Sequence, residues 1–431
     1  MWMRTRTQAQ IVMVELVLAK DVLKEILFEN KSFKRSIKDK FSKEKQLTNT
    51  RKIVLSLVGC ELRHHLLLKK VIKKSRVELN LDERSYLLLA LANHYFYKGL
   101  SEKEVNQDLL DVFGEKYQQI RPLFKIDGEL INYLEIGKDT IEYLSIRYNT
   151  PKQIVISFTR DLGISRTQKC LRAMSRACDF TYRLNPYCDQ AREYIKLNED
   201  LLGIEAAPDV VYIDKKVLRE HSELAEPTVF EIDPNLKTLV DKYHNDLIDE
   251  VTVYSGDDDS LIFELLSRKN KNLGINAATP NYEERLRLLK FVRTIKNKNI
   301  NIFNGHDFAS LRSGISRPTE LVYCYPKSTS FSKMNHSPDY LIHYDEKHVS
   351  ELVKTQKEAI KNCSKFVCEN GYLIYIVDTL NVDESTKIVR SFLKDNPNFS
   401  LIEQRQYIAS TNHPYLLYYA VLKLEDQNGQ D

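Results

Sequence analysis

Five short apolar runs in the second half of this chain end in polar residues that could meet a ligand. GYLIYIVD closes on Asp378 and continues TLNVDES, which carries Asp383 and Glu384. ELVYCY holds Cys324 and leads into Pro326, Lys327 and Ser328, while VTVYS leads into Gly256 and the carboxylates Asp257, Asp258 and Asp259. LGINA carries Asn276, and INIFNG is followed by His306 and Asp307. The carboxyl ends of strands in a parallel sheet form a ligand crevice, and a glycine there lets a ligand approach the backbone closely. The three carboxylates suit a solvated loop capping a helix that begins near Ser260, because acids and serine favour that end of the helix dipole. A magnesium site is the alternative reading of the same run. Cys324 lies within its strand, as a buried structural thiol would.

The elements that must hold these residues follow from periodicity. VTVYS at 251–255, LGINA at 273–277, INIFNG at 300–305, ELVYCY at 320–325 and YLIYIVD at 372–378 are β-branched or aromatic and strand-like. Helical stretches at 261–269, 281–297 and 349–369 separate most of them, which predicts a doubly wound, mostly parallel sheet. FSLIEQRQYI and YLLYYAVLKLE follow each other without a helix and predict a closing antiparallel hairpin. Residues 8–142 instead show apolar positions three and four apart, as in an all-helical bundle, with Asp82 as an N-cap and Gly99 as a stop. Residues 143–205 form a second helical piece ending in TYRLNP, so three domains are expected: 1–142, 143–205 and 206–431.

With 42% apolar and 29% charged residues over 431 positions, the composition is that of a core-forming chain. The first apolar stretch is broken by Glu15, Lys20 and Asp21, which excludes a membrane span and a clean signal core there and leaves a cytoplasmic protein as the expectation. Seven cysteines without CxxC spacing exclude a disulfide framework and a tetrahedral zinc site, so no metal is expected. The net charge of +4 hides an asymmetry. The first hundred residues hold 21 Lys and Arg against 10 Asp and Glu, and residues 31–76 hold 15 against 3. The cluster Lys69, Lys70, Lys73, Lys74 and Arg76 is the footprint expected of a phosphate-backbone binder. Any single run of that kind also suits a solvated helix face.

These motifs together resemble the Fmu/Sun-type bacterial 16S rRNA (cytosine-5) methyltransferases. GYLIYIVDTLNVDES is similar to that family's GG-x-LVYATCS-xxx-EEN stretch in its glycine, strand, Tyr375 and acidic pair Asp383 and Glu384. CYPKS matches DAPCS at Pro326 and Ser328, and FSKMNHSPDY matches RRxPD at Pro338 and Asp339. Arg183 and Asn185 match LRxN, the short strand that leads into that family's catalytic domain, and YYAVLK looks like the FFxAxL ending. Gly59 and Arg63 in GCELR, with the later LINYLE, resemble a NusB-like RNA-binding domain.

The resemblance implies an all-α NusB-like domain followed by an α/β class I (Rossmann-like) methyltransferase domain with a terminal antiparallel hairpin. It implies S-adenosylmethionine as cofactor, with Gly256 in its loop, Asn276 at the ribose acid and Asp307 near the adenine. Arg183 and Asn185 would hold RNA over the site, the alternative for Arg183 being a pairing with a nearby carboxylate, and ribosomal RNA would be the partner, with no DNA specificity and no membrane. The family's DxCAAPGGKT loop is replaced by VYSGDDDS, however, with Val253 at the strand acid. Lys327 and Asp378 stand at both cysteine positions, and Cys324 at the aspartate position. Methylating carbon 5 of cytosine needs a thiolate to add to the ring first, so no catalytic residue is assigned. The Asx-Pro-Pro-aromatic motif of exocyclic-amine methylation is absent.

Three readings follow. The first is a pseudoenzyme of the rRNA methyltransferase family that keeps RNA binding, its methyl transfer impaired or lost. The second is an active methyltransferase of altered chemistry that uses Lys327 or Asp378 near the base. The third is a NusB-like protein-binding regulator.

Overall fold

The computed structural model describes residues 13–42, 48–175, 180–185, 188, 193, 205–213, 215–221, 224, 226–244, 248–256, 258–268, 273–295, 299–306, 313–315, 317–335, 337–410, 413 and 415–426. The chain folds into two compact units, residues 1–176 with 333–344 and residues 177–332 with 345–431. Among the described residues no helix is long and apolar enough to cross a membrane.

Unit one is helical, as its periodicity predicts. It runs α1 (Val14–Phe28), α2 (Phe33–Phe41), α3 (Thr48–Ser75), α4 (Leu81–Ala92), α5 (Glu102–Phe113), the single turn α6 (Tyr117–Ile120), α7 (Ile141–Arg147), α8 (Lys152–Leu162) and α9 (Ile164–Met174). Helix α4 is apolar all round and every residue from Ser85 to Ala92 is buried, so it occupies the centre of the bundle. Its N-cap is Asn80 and not Asp82. Asn80 and Glu83 exchange side chain to backbone bonds of 2.8 and 2.9 Å, and Asp82 sits in the first turn, where it takes the Lys24 ammonium at 2.7 Å.

Midway along α3, Asn149 inserts its side chain. Its amide donates to the Leu62 carbonyl at 2.7 Å and its oxygen accepts from the Leu66 N–H at 2.8 Å, the two groups that pair with each other in an ordinary helix. The segment 333–344 belongs to this unit although it follows β8 of the other in sequence, and its Asp339 accepts the Phe33 N–H at 2.8 Å.

Unit two contains two sheets. The smaller is antiparallel in the order β2-β3-β1-β4, from β1 (Phe180–Leu184), β2 (Glu205–Ala207), β3 (Val210–Ile213) and β4 (Val229–Glu231). Only β1 is expected from the sequence, because the others run three or four residues and show no period. The larger sheet has seven strands: β5 (Glu250–Ser255), β6 (Gly274–Thr279), β7 (Ile300–Asn304), β8 (Thr319–Tyr325), β9 (Val367–Val377), β10 (Phe399–Tyr407) and β11 (Leu417–Leu424). Their order is β10-β11-β9-β8-β5-β6-β7, with β5 to β9 parallel and β11 antiparallel to both its neighbours.

This is the class I methyltransferase arrangement with its terminal antiparallel hairpin. The strand order reverses between β5 and β8, which puts the ligand crevice at their carboxyl ends. Side chains alternate across the sheet. Val251, Val253, Leu321, Tyr323, Ile374 and Ile376 face the core under the helices Pro234–Tyr243, Ser260–Leu266 and Tyr282–Ile295. Val322, Cys324, Leu373, Tyr375 and Val377 face the core under the helices Glu346–Cys363 and Thr386–Asp395. Burial on both faces explains the near-continuous apolar runs.

Candidate functional site

The carboxyl ends of β5, β8 and β9 bring Gly256, Tyr325 and Asp378 together. Tyr325 closes β8 and donates its hydroxyl to the Asp378 carboxylate just beyond β9, and both side chains are buried. Burial raises the Tyr325 phenol well above its ordinary range, and the charges of Asp378, Asp258 and Asp233 raise it further, so it stays protonated. Asp233 caps the helix Pro234–Tyr243 by accepting from the Asn235 N–H at 2.8 Å, and burial with the Asp258 charge pushes its carboxyl up to about 7. Three acidic groups therefore bear on one phenol at this end of the sheet.

Lys327 leaves this crevice and is exposed. Its backbone stays: the carbonyl accepts from Gln356 Nε2 at 2.9 Å, and the amide packs on Gly256. A Cβ at Gly256 would collide with that amide and come within 2.9 Å of the Pro326 carbonyl carbon, while the Gly256 N–H donates to the Tyr325 carbonyl at 2.8 Å. The missing side chain at Gly256 is thus required by the loop after β8.

Beside this pair lies a carboxylate that the sequence does not single out as a site residue. Glu384 is fully buried and accepts four hydrogen bonds: from the Thr329 hydroxyl and N–H at 2.7 and 2.8 Å, from Gln356 at 3.0 Å and from Asn381 at 3.1 Å. Burial pushes its carboxyl up and these donors pull it back. The Thr329 hydroxyl, spent on Glu384, accepts from Thr379 at 2.8 Å. The loops after β8 and β9 are laced together by this one side chain. Asp383, its neighbour, points outward to Lys387.

The acidic run after β5 differs from the expected solvated loop. Asp258 does cap the next helix, accepting the Ser260 N–H at 2.8 Å. Asp259 is 1% exposed, and neither carboxylate oxygen has a hydrogen-bond partner among the described residues. Burial pushes it up to about 8, the nearby charge of Glu284 adding and that of Arg287 opposing. Asp257 lies outside the described residues. Among the described residues no three His, Cys, Asp or Glu side chains converge as metal ligands would.

The other residues assigned to cofactor, catalysis and RNA fall as follows. Asn276 is not at the carboxyl end of β6 but mid-strand, with its amide donating to Glu250 at 2.8 Å and its oxygen accepting from Asn301 at 3.0 Å. The strand continues to Thr279, which occupies the end position and donates to Glu284 at 3.1 Å. Asp307 lies outside the described residues. Of the described residues assigned to S-adenosylmethionine, Gly256 packs on a protein backbone and the Asn276 amide bonds two side chains. Cys324 is fully buried, and its thiol is raised well above the ordinary range by burial and by Cys363, so it supplies no thiolate.

The RNA-holding role of Arg183 and Asn185 is not what the structure places there, because both are internal to unit two and Arg183 pairs with carboxylates, its other reading. Arg183 is 4% exposed and donates to Glu264 at 2.8 Å, with Asp209 at 3.0 Å. Lys237 and Arg268 also approach Glu264, at 3.8 and 3.2 Å, so the buried acid is ringed by cations. Asn185 is 1% exposed and donates to the Pro227 carbonyl at 2.9 Å.

In unit one the basic cluster divides by helix face. Lys70 pairs with Glu142 at 3.0 Å, and Lys74 with Glu135 at 3.2 Å and the Tyr133 carbonyl at 2.6 Å. Lys69, Lys73 and Arg76, at the alternative i, i+4, i+7 positions, are exposed and have no carboxylate partner among the described residues.

No protein-family model matches the chain, and no curated protein matches it. Solved structures do. The structure of PH0851 is similar with a TM-score of 0.73 at 16% identity, over 97% of this chain and 100% of that one. A methyltransferase homolog protein from Pyrococcus horikoshii is similar at 0.55 and 11% identity, over 66% of this chain and 98% of that one. NSun6 from Pyrococcus horikoshii, solved with SFG, is similar at 0.54 and 11% identity, over 64% and 99%. The fold is that of methyltransferase homologues, as the sequence motifs imply.

Proposed function

We propose that this protein is an RNA-binding member of the rRNA cytosine-5 methyltransferase family, cytoplasmic, in which methyl transfer to carbon 5 is lost. The observation that carries this reading is that, among the described residues, no usable thiol stands at the two cysteine positions of the crevice. One cysteine position holds the exposed Lys327, the other holds Asp378 bonded to Tyr325, and Cys324, three residues before the first of these, is sealed in the core. A carboxylate bonded to a phenol does not replace a thiolate in adding to a pyrimidine ring. RNA binding is supported by Lys69, Lys73 and Arg76, which have no carboxylate partner among the described residues, and by the excess of Lys and Arg in the first hundred residues.

A second reading, an active methyltransferase of altered chemistry, is favoured by the acidic groups around Tyr325, since S-adenosylmethionine carries an ammonium and a sulfonium. Calorimetric titration with S-adenosylmethionine and S-adenosylhomocysteine separates the two. No heat at millimolar ligand, together with RNA bound in a salt-dependent manner, is the expected result. Micromolar cofactor binding followed by methyl incorporation into RNA would overturn the proposal.

A further inference from the structure

Unit one holds a cavity of about 670 Å³, within the size range of ligand sites. Its charged lining is entirely basic: Lys69 and Lys73 from α3, Arg76 just past its end, and Arg84 from α4. Its floor is apolar, with Leu27, Phe28, Ile72, Leu88, Ile342 and Tyr344. None of the four cations has a carboxylate partner among the described residues, whereas Lys70 and Lys74 on the adjacent face of α3 are both paired. The unpaired cations of the basic cluster are thus those that edge a hollow. Arg76 follows α3 with φ of 59°, a left-handed conformation that glycine adopts at lower cost, so a cation stands where backbone energetics favour no side chain.

We infer that this cavity receives unpaired nucleotides of single-stranded RNA, the base on the apolar floor and the phosphates on Lys69, Lys73, Arg76 and Arg84. The inference rests on the RNA-binding reading above and names the form of RNA it takes. Two features select this occupant. From Lys69 to the end of α3 at Ser75 the helix rises about 9 Å, longer than one phosphate group, and Arg76 follows directly, so the row of cations suits consecutive phosphodiesters better than a single anionic headgroup. An apolar floor with Phe28 and Tyr344 suits a base released from its stack, which a duplex does not offer.

The test measures binding of the full chain to a fluorescent single-stranded RNA and to a duplex of the same length, across salt concentrations. Three variants are compared: Lys69→Ala with Lys73→Ala and Arg76→Ala; Lys70→Ala with Lys74→Ala; and Leu79→Trp, which fills the cavity from a half-buried lining position. The native chain is expected to prefer the single strand. The triple variant should bind it at least about tenfold more weakly, with the logarithmic salt slope reduced by about two, since each lost phosphate contact removes about 0.7. The double variant should stay within about threefold of native, and Leu79→Trp should weaken the single strand alone. Native RNA binding that survives both the triple variant and Leu79→Trp would overturn the cavity assignment while leaving RNA binding in place. No RNA binding by the native chain would overturn both. Binding to anionic phospholipid vesicles that Leu79→Trp abolishes, with RNA binding unmoved, would replace the nucleotide with a lipid and overturn the proposal.

Discussion

Glu384 holds both the hydroxyl and the backbone N–H of Thr329, at 2.7 and 2.8 Å, across 55 residues of sequence. With Gln356 and Asn381 it ties together the loops that carry Lys327 and Asp378. Glu384→Ala removes an acceptor of four bonds and leaves their donors buried. The expected loss is about 3 kcal/mol in urea unfolding. Glu384→Gln, which keeps the shape but turns a donor toward donors, should lose less than alanine and still more than 1 kcal/mol, by about the net value of one hydrogen bond or more. Wild-type stability in the alanine variant would show that the network contributes nothing to the fold.

Arg183 is bound to the buried Glu264 at 2.8 Å, which assigns it to the interior. Arg183→Ala strips one partner from a carboxyl that has no water to turn to. A loss of about 3 kcal/mol is expected, moderated by Lys237 and Arg268 nearby. RNA affinity per folded molecule should be unchanged. A variant of native stability that binds RNA more weakly would return Arg183 to the RNA-facing role that its motif implies.

These two residues mark where the sequence is legible and where it is not. Strands β5 to β11 can be read because each is a β-branched or aromatic run with its own turn. The helix Glu346–Cys363 is shorter than its expected 349–369 at the far end because Val367 and Cys368 start β9. Asn276 is misplaced by three residues because the Ala277–Ala278 continuation has weak strand propensity and hides the strand end at Thr279. The sign of the cluster at 69–76 is legible, but its division into paired and unpaired faces depends on Glu135 and Glu142, far along the chain. Glu384 shows only as part of a motif, since its role lies in contacts with Thr329 and Gln356 that no local pattern encodes.

Asp259 gives a pH-dependent prediction. Its folded-state pKa of about 8 lies above the ordinary 3.8, so the folded chain binds a proton that the unfolded chain releases. The resulting stability is fully present below about pH 4 and lost as pH rises through 8. Asp259→Asn imitates the neutral acid at all pH values. Its stability relative to wild type should therefore improve between pH 5 and pH 9, by about 2 to 4 kcal/mol. Parallel stability curves for the two proteins over that interval would contradict a buried, neutral Asp259.

His64 carries the opposite sign. Its ring stacks on Phe96 at 3.8 Å, and burial together with the charges of Arg63 and Arg147 lowers its pKa from 6.5 to about 4. The unfolded chain takes up a proton near pH 6.5 that the folded ring refuses until about 4. This contribution is therefore intact above 6.5, falls as pH drops from 6.5 to 4, and is constant below. The fall amounts to at most about 3 kcal/mol. His64→Phe retains an aromatic ring against Phe96 and removes the titration. Urea midpoints measured from pH 7 to pH 4 should decline less steeply in this variant than in wild type. Equal slopes would mean that the imidazole accepts its proton in place, against the field of two arginines.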